Sequence, residues 1–247
     1  MLVIGASLWP TIGLAVVAAF ASGTPQVKAI VGLYVTYAVV LVVAYFIASL
    51  IYRANAYGNM TLLGPEQFPE LWSVVVSTAE ELGMKAAPRT FLFNSNGVLN
   101  AYARRLFGGR YVFLTSALVD TADDDQVRFV IGHELGHHAA GHLNPILNAV
   151  KLPANVVPFL QPAYSRAREF TCDAIGAATA NNPAACRSAL QMLGCGCRRL
   201  NASMSCEAFL RQEALVPPIS GFIAEIFRSH PRLTRRVAAI DKQFGTR

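Results

Sequence analysis

Charged residues are scarce in this chain. Lysine, arginine, aspartate and glutamate together make up 15% of its 247 residues, whereas 53% are hydrophobic. A soluble domain usually carries about 25% charged residues. The deficit is concentrated near the start of the chain, where it indicates membrane-spanning segments.

Two runs near the start lack charged residues. Residues 29–52 contain none and are long enough to cross a hydrocarbon core of about 30 Å. Residues 2–20 are also uncharged but form a shorter run that contains Pro10. We expect two transmembrane helices, at about 2–20 and 29–52, joined as a hairpin ahead of a single domain at 53–247. For the first run, a cleaved signal or a loosely inserted segment is the alternative.

Basic residues are also unevenly placed. The link between the two runs carries Lys28, whereas Arg53, Lys85 and Arg89 follow the second run. The positive-inside rule therefore places the C-terminal domain in the cytoplasm. The net charge of +6 fits a domain on an anionic leaflet, although a solvated basic surface explains it equally well. No nucleic-acid motif is present, so we expect no nucleic-acid partner.

Cysteine is rare and falls late in the chain. The last four cysteines have the spacing C-x8-C-x-C-x8-C, which is not a familiar zinc spacing. We expect small buried residues, with a local disulfide or a second metal or redox site as alternatives. The five cysteines of the chain are Cys172, Cys186, Cys195, Cys197 and Cys206.

Histidine is scarcer still, yet four of the five histidines lie within residues 129–143. His133 and His137 are one helical turn apart, so both rings can reach a single metal ion. Glu134 flanks them, which completes the H-E-x-x-H pattern of zinc metalloproteases with Glu as general base. His138 and His142 point elsewhere, and we expect structural or surface roles, with a supporting role of His142 at the ligands as the alternative.

The neighbouring sequence predicts the helix and a third ligand. A capping box at Thr121 and Asp124 would begin the helix. Catalytic zinc needs three protein ligands, and Glu169 is a candidate. Asp173, one turn on, would accept a hydrogen bond from a ligand histidine. The alternative is that Glu169 is an ordinary solvated residue beside a neighbouring arginine.

The remaining patterns predict an α+β fold. We expect a helix at 64–82 and then short strands in a small antiparallel sheet. Asn96–Gly97 and Gly108–Gly109 are turn signals between the strands. The apolar, proline-interrupted segment 144–162 is expected to touch the membrane or cover the site. The predicted strands are 90–93, 98–103 and 111–115.

Four elements together resemble the M48 family of membrane zinc metallopeptidases, and within it the bacterial heat-shock, HtpX-like, branch. They are NAYA from Asn100, HELGH from His133, SRAREFTCD from Ser165 and SHPRLTRRV from Ser229. Cys172 stands where alanine is usual, and only the proline-interrupted segment replaces two further spans that the branch usually has.

The resemblance implies a mainly helical, gluzincin-like zincin domain that binds one Zn²⁺ per chain. The implied roles are metal ligation by His133, His137 and Glu169, catalysis by Glu134 and His230, and supporting or substrate-binding contacts by Asp173, Asn100 and Arg236.

It further implies an endopeptidase, located in a bacterial inner membrane, that removes unfolded or damaged membrane proteins. The substrate would bind as an extended strand beside residues 111–115, if these form an exposed edge. A catalytically silent membrane scaffold of the same fold is the alternative.

Overall fold

The computed structural model describes residues 1–107 and 109–245, so Gly108 of the second predicted turn and the last two residues lie outside the described part. Helices α1 (Leu2–Ser22) and α2 (Pro25–Asn59) form the expected hairpin, and both are long and apolar enough to cross a membrane. At 1.5 Å per residue, the 35 residues of α2 span about 52 Å. Because about 20 residues are enough to cross a bilayer, α2 extends beyond the bilayer. The helix continues without a break past residue 52, where we expected the transmembrane helix to end and the domain to begin.

The strands are β1 (Thr61–Leu62), β2 (Arg89–Phe93), β3 (Ala101–Leu106) and β4 (Gly109–Thr115). Among the described residues they form one sheet in the order β1-β2-β4-β3. β4 pairs antiparallel with β3 but parallel with β2, with Phe91 opposite Phe113. The sheet is therefore mixed, whereas we expected it to be antiparallel.

The position of β4 also corrects the expected substrate edge. Residues 111–115 are buried between β2 and β3, so they are not an exposed edge. This strand is a continuous apolar run, which favours a central position. β3 carries the exposed Arg104 and Arg105 and takes the edge instead, in agreement with the preference of charged side chains for edge strands.

Helices surround the sheet and continue the chain. α3 (Pro69–Glu81) is shorter than the predicted helix at 64–82. The other helices are α4 (Ser116–Thr121), α5 (Asp124–Ala139), α6 (Pro145–Lys151), α7 (Leu160–Ala180), α8 (Pro183–Cys195), α9 (Arg198–Ala202), α10 (Cys206–Arg211), α11 (Pro218–Ile226) and α12 (Leu233–Gly245), with 3₁₀ turns at Leu152–Val156 and Gln212–Leu215.

The two faces of the sheet have different partners. Val112 and Leu114 of β4 belong to an apolar cluster with residues of α3 and α5. Tyr111 and Phe113 face the other way, and the Phe113 ring packs edge to face against Tyr52 of α2 at 5.4 Å. The C-terminal part of α2 is therefore part of the core of the domain as well as the continuation of a membrane helix.

The segment 144–162 lies against the first membrane helix. Trp9 Nε1 of α1 donates to the carbonyl of Ala149 at 3.1 Å. Gly5 allows close approach, because a Cβ there would lie 2.2 Å from the carbonyl oxygen of Val150. The segment therefore packs against a helix that could cross a membrane.

Candidate metal and catalytic site

The site is built where α5 crosses α7. A Cβ on Gly176 would lie 2.6 Å from the carbonyl oxygen of Phe129, and a Cβ on Gly132 would lie 2.9 Å from the Cα of Gly176. These glycines therefore allow the two backbones to approach more closely than larger residues would. The crossing places the H-E-x-x-H segment of α5 beside Glu169 of α7.

A capping box fixes the start of α5, but not the one we predicted. The Asp123 side chain accepts from the Gln126 backbone N–H at 2.8 Å, and the Gln126 side chain accepts from the Asp123 N–H at 3.1 Å. Thr121 instead ends α4. The prediction of a box at Thr121 and Asp124 was wrong because it placed the helix start two residues early.

Three expected ligands converge within one cleft. The distances from His133 Nε2 to Glu169 Oε2 and from His137 Nε2 to Glu169 Oε1 are both 3.6 Å. Ligand atoms about 2.0–2.2 Å from a tetrahedral zinc lie about 3.4 Å from each other. The three side chains therefore fit one small tetrahedral ion and leave a fourth position open.

The protonation of the two histidines differs. Burial lowers the pKa of His137 to about 3, which keeps its ring neutral and able to bind a metal. Burial acts in the same direction on His133, but the hydrogen bond to Asp173 and the nearby Glu169 carboxylate outweigh it and raise its pKa to about 10. At His133 Nε2, therefore, a proton and a metal ion compete for the same lone pair.

Asp173 orients His133 from behind. Its Oδ1 accepts from His133 Nδ1 at 2.9 Å. Arg236 of α12 donates to both Asp173 oxygens, at 2.7 and 2.6 Å. Burial opposes ionisation, but the hydrogen bonds from Arg236 and His133 hold the pKa of Asp173 below its usual value. These hydrogen bonds thus orient the His133 ring so that its Nε2 faces the cleft.

His142 supports the second histidine. Gly141, at φ +71°, ends α5, and the backbone N–H groups of Gly141 and His142 bond back to the carbonyls of His138 and His137. This is a Schellman cap. It returns His142 over the helix, so that its Nδ1 lies 3.2 Å from Nδ1 of His137. When Nε2 of His137 binds a metal, Nδ1–H can donate to His142.

This position of His142 is compatible with the alternative role, in which it supports a metal-binding histidine. The linear sequence indicated that role only weakly. Cys172 Sγ lies 3.4 Å from His142 Nδ1, so His137, His142 and Cys172 form a second group of adjacent donor atoms. Because Cys172 is 30 residues from His142, no local motif revealed this group. His138 lies apart from both groups and bonds through Nε2 to the Tyr111 carbonyl at 3.0 Å.

Glu134 also faces the cleft. Burial raises its pKa, although the charge of His133 and a hydrogen bond from the Ala103 backbone N–H oppose this shift. A carboxylate with a raised pKa is suited to accept a proton from water. The bond from edge strand β3 was not predictable from the motif, since it depends on the strand order.

The other predicted residues line the same cleft, whose volume is about 990 Å³. His230, with 67% of its side chain exposed, bonds through Nδ1 to Glu169 Oε2 at 3.0 Å. This bond raises the pKa of His230, although burial opposes the shift. Asn100, the residue before β3, is fixed by a bond from its N–H to Thr115 Oγ1 at 3.1 Å.

The cysteines form no disulfide. All five are free, with Cys172 and Cys186 buried and the other three partly buried. The expectation of small buried residues therefore holds for Cys172 and Cys186 but not for the other three, and the alternative of a local disulfide does not hold.

A family model described as peptidase family M48 matches residues 65–152 and 144–243. The plastoglobule-localized metallopeptidase 48 of Arabidopsis thaliana is 26% identical over 207 residues, which cover 75% of this chain and 60% of that protein. A protease HtpX homolog of Nostoc sp. is 36% identical over 122 residues, or 47% of this chain and 40% of that protein. The chain thus spans less than two thirds of each of these two relatives.

Two further comparisons cover more of the matched proteins. A protease HtpX homolog of Nostoc punctiforme is 30% identical over 202 residues, covering 63% of this chain and 67% of that protein. The crystal structure of S. mikatae Ste24p matches 95% of this chain and 67% of that chain, with a TM-score of 0.57 and 18% sequence identity. At this identity the likeness shows a shared fold.

Proposed function

The chain belongs to peptidase family M48, and from this premise we propose that it is a membrane-anchored, zinc-dependent endopeptidase. The observation that carries the proposal is the convergence of His133, His137 and Glu169 beside Glu134 in one cleft. Zinc held by the first three residues would polarise a peptide carbonyl and activate a water molecule.

Glu134 is the proposed general base. Its carboxylate takes a proton from the attacking water and passes it to the leaving amine. The Ala103 N–H of edge strand β3 acts on the pKa of this carboxylate, which places the base next to the strand where a peptide would lie. Asp173 and Arg236 act through His133, whose ring they fix in the orientation that ligation requires.

His230 is proposed to donate a hydrogen bond to the developing oxyanion. Its Nδ1 is held by Glu169, which fixes the ring in the cleft and leaves Nε2 for the substrate. A donor placed where negative charge develops stabilises the transition state. His230 is thus assigned to the substrate and Arg236 to the support of Asp173.

The substrate is proposed to be an extended polypeptide that adds to β3. The carbonyl of Asn100 accepts from the Thr115 N–H of β4, so in this antiparallel register the N–H of Ala103, three residues on, points away from β4. Because alternate residues of a strand direct their backbone groups to the same side, Ala101 faces the cleft with Ala103. A peptide bound through backbone groups is selected for being unfolded, which supports a role in clearing unfolded or damaged membrane proteins.

We further propose that the domain lies on the cytoplasmic side of a bacterial inner membrane. The supporting observation is the placement of basic residues: Lys28 lies in the first turn of α2, next to the hairpin turn, whereas Arg53, Lys85 and Arg89 follow the apolar run 29–52. Protease treatment of right-side-out and inverted vesicles should degrade the domain in inverted vesicles. Degradation in right-side-out vesicles would contradict this orientation.

The catalytic proposal is tested by zinc content and cleavage of unfolded casein in detergent. Wild type should bind one zinc per chain and cleave casein. Glu134→Gln should retain zinc and lose about 10²–10⁴-fold in rate, because it removes the general base. Glu169→Ala should lose both zinc and activity, because it removes a ligand.

A matched control is Glu207→Gln, since Glu207 has 87% of its side chain exposed and should leave zinc content and rate unchanged. Wild type that binds zinc but cleaves no unfolded substrate over a range of pH would overturn the proposal in favour of a silent scaffold. Equal activity of Glu134→Gln and wild type would remove Glu134 from the mechanism.

A further inference from the structure

Helix α11 has its apolar side on the outside. Ile219, Phe222 and Ile223 are 78%, 65% and 51% exposed, whereas Gly221 and Glu225 of the same helix are buried. A surface helix of a soluble domain normally buries its apolar face and exposes its polar one. The reversed pattern in α11 is typical of a surface that contacts something other than water.

Polar contacts hold α11 in this orientation. Arg166 of α7 donates to the backbone carbonyls of Glu225 and Arg228, at 2.8 and 2.9 Å. The Glu225 carboxylate pairs with Arg232 and Arg235, at 3.1 and 2.9 Å. The buried side of α11 is therefore fixed to the protein by charges, and its outward apolar side follows from this attachment.

A second apolar surface is continuous with the first. Leu152 and Val156, in the 3₁₀ turn after α6, are 58% and 75% exposed. Phe159, at the start of α7, packs edge to face on Phe227 at a centroid distance of 5.4 Å. We call this surface the apolar band. It consists of Leu152, Val156, Phe159, Ile219, Phe222 and Phe227.

The apolar band begins at a membrane helix. The segment that carries Leu152 is packed on the early part of α1 through Trp9 and Gly5. The α1–α2 hairpin turns at residues 23–24, so this early part of α1 and the later part of α2, which contacts the sheet, lie at the same end of the hairpin. The band is thus continuous with the lipid-facing surface of α1 at the membrane boundary nearest the domain.

We infer that the apolar band lies in the interfacial layer of the bilayer crossed by α1 and α2, in contact with phospholipid acyl chains. An amphipathic helix with an exposed apolar face binds at this depth. Phe227 and Arg228 also line the rim of the cleft, so the cleft would open at the membrane surface. The contact with lipid does not depend on catalytic activity.

Photolabelling of the wild-type chain tests this inference. The protein is placed in phosphatidylcholine vesicles that contain a phospholipid with a diazirine on its acyl chain, then irradiated and digested with trypsin. Cleavage after lysine and arginine isolates α11 in peptide 212–228 and Leu152, Val156 and Phe159 in peptide 152–166. Both should be labelled about as strongly as peptide 29–53 of α2.

Peptide 200–211 is the matched control. It contains Leu200, which is 51% exposed, on helix α9. The neighbouring Arg198 donates to backbone carbonyls at the end of α4. Helix α9 is therefore attached to α4, whereas the apolar band is attached to α1. Labelling of this peptide should be several-fold lower than that of the two band peptides.

Two results would overturn the inference. Labelling confined to peptides of α1 and α2 would mean that the band does not contact lipid. Labelling of the band peptides only at low protein-to-lipid ratio would mean that a second copy of the chain covers the band, because dilution separates such copies. Casein cleavage is measured separately, so that failure of the lipid-contact inference is distinguished from failure of the proposed peptidase activity.

Discussion

The α5–α7 crossing and helix α11 both depart from the usual distribution of side chains, in opposite directions. The crossing buries ionisable groups that normally face water, including His133, Glu169 and Asp173. Helix α11 exposes large apolar groups that normally face the core. The difference teaches that a departure from the usual burial pattern points to a ligand, here a metal ion in one region and lipid in the other.

The two regions are stabilised differently. Each buried ion at the crossing requires a partner, because an unpaired buried charge is costly. Asp173 accordingly has both Arg236 and His133. At α11 the charged pairs lie between the helix and the rest of the domain, where Arg235 is partly exposed. The outward apolar side chains need no protein partner if lipid covers them. Variants in the two regions should therefore differ in the size of their effects.

The largest effect is expected from Arg236→Met. It leaves Asp173 buried with one of its two partners and should lower the free energy of unfolding by about 3–5 kcal/mol. Arg187→Met is the control, because the Arg187–Asp241 pair is about one third exposed and should contribute at most about 1 kcal/mol. Denaturant unfolding in detergent measures both, and equal losses would contradict the distinction between the pairs.

A smaller effect is expected when the α5–α7 crossing is forced apart. A methyl group at Gly176 would lie 2.6 Å from a backbone oxygen of α5, so Gly176→Ala should cost about 1–3 kcal/mol and weaken zinc binding. Gly194→Ala in α8 is the control, since its methyl group would meet Leu233 at an ordinary 3.6 Å. Unchanged stability and zinc affinity in Gly176→Ala would show that the crossing does not need glycine.

The polar attachment beneath α11 should give the smallest effect, and it should depend on pH. Burial would raise the pKa of Glu213, but bonds from Arg232, Thr234 and Arg235 lower it to about 2. Its stabilisation is present above the unfolded-state pKa of about 4.5 and is lost as the pH falls through about 2.

Glu213→Gln should therefore cost about 1–2 kcal/mol at neutral pH, and the difference from wild type should shrink as the pH falls. Denaturant unfolding of both proteins at several pH values measures this difference. A difference that stays constant with pH would exclude the charge of Glu213 as its cause.

Local patterns predicted more of the candidate site than of the sheet. Spacings of four residues placed His133 near His137 and Glu169 near Asp173, because both pairs lie on helices. A strand that is apolar on both faces takes a central position in a sheet. The apolar run 111–115 indicates such a position, whereas we predicted an exposed edge. The Asp123–Gln126 cap was likewise readable as a capping box.

Other features required the folded chain. The contact between His142 and Cys172 joins residues on different helices, and no spacing rule connects them. The bond from Ala103 to Glu134 depends on β3 lying at the sheet edge. The exposure of α11 could not be predicted, since an apolar run such as residues 219–223 also suits a buried helix.

The most direct test of the central claim is X-ray absorption at the zinc edge of the purified protein. Among the described residues, two groups of donor atoms share His137, one with His133 and Glu169 and one with His142 and Cys172. The account predicts nitrogen and oxygen neighbours at about 2.0–2.2 Å and no sulfur. A sulfur neighbour at about 2.3 Å would place the zinc at Cys172 and contradict the account.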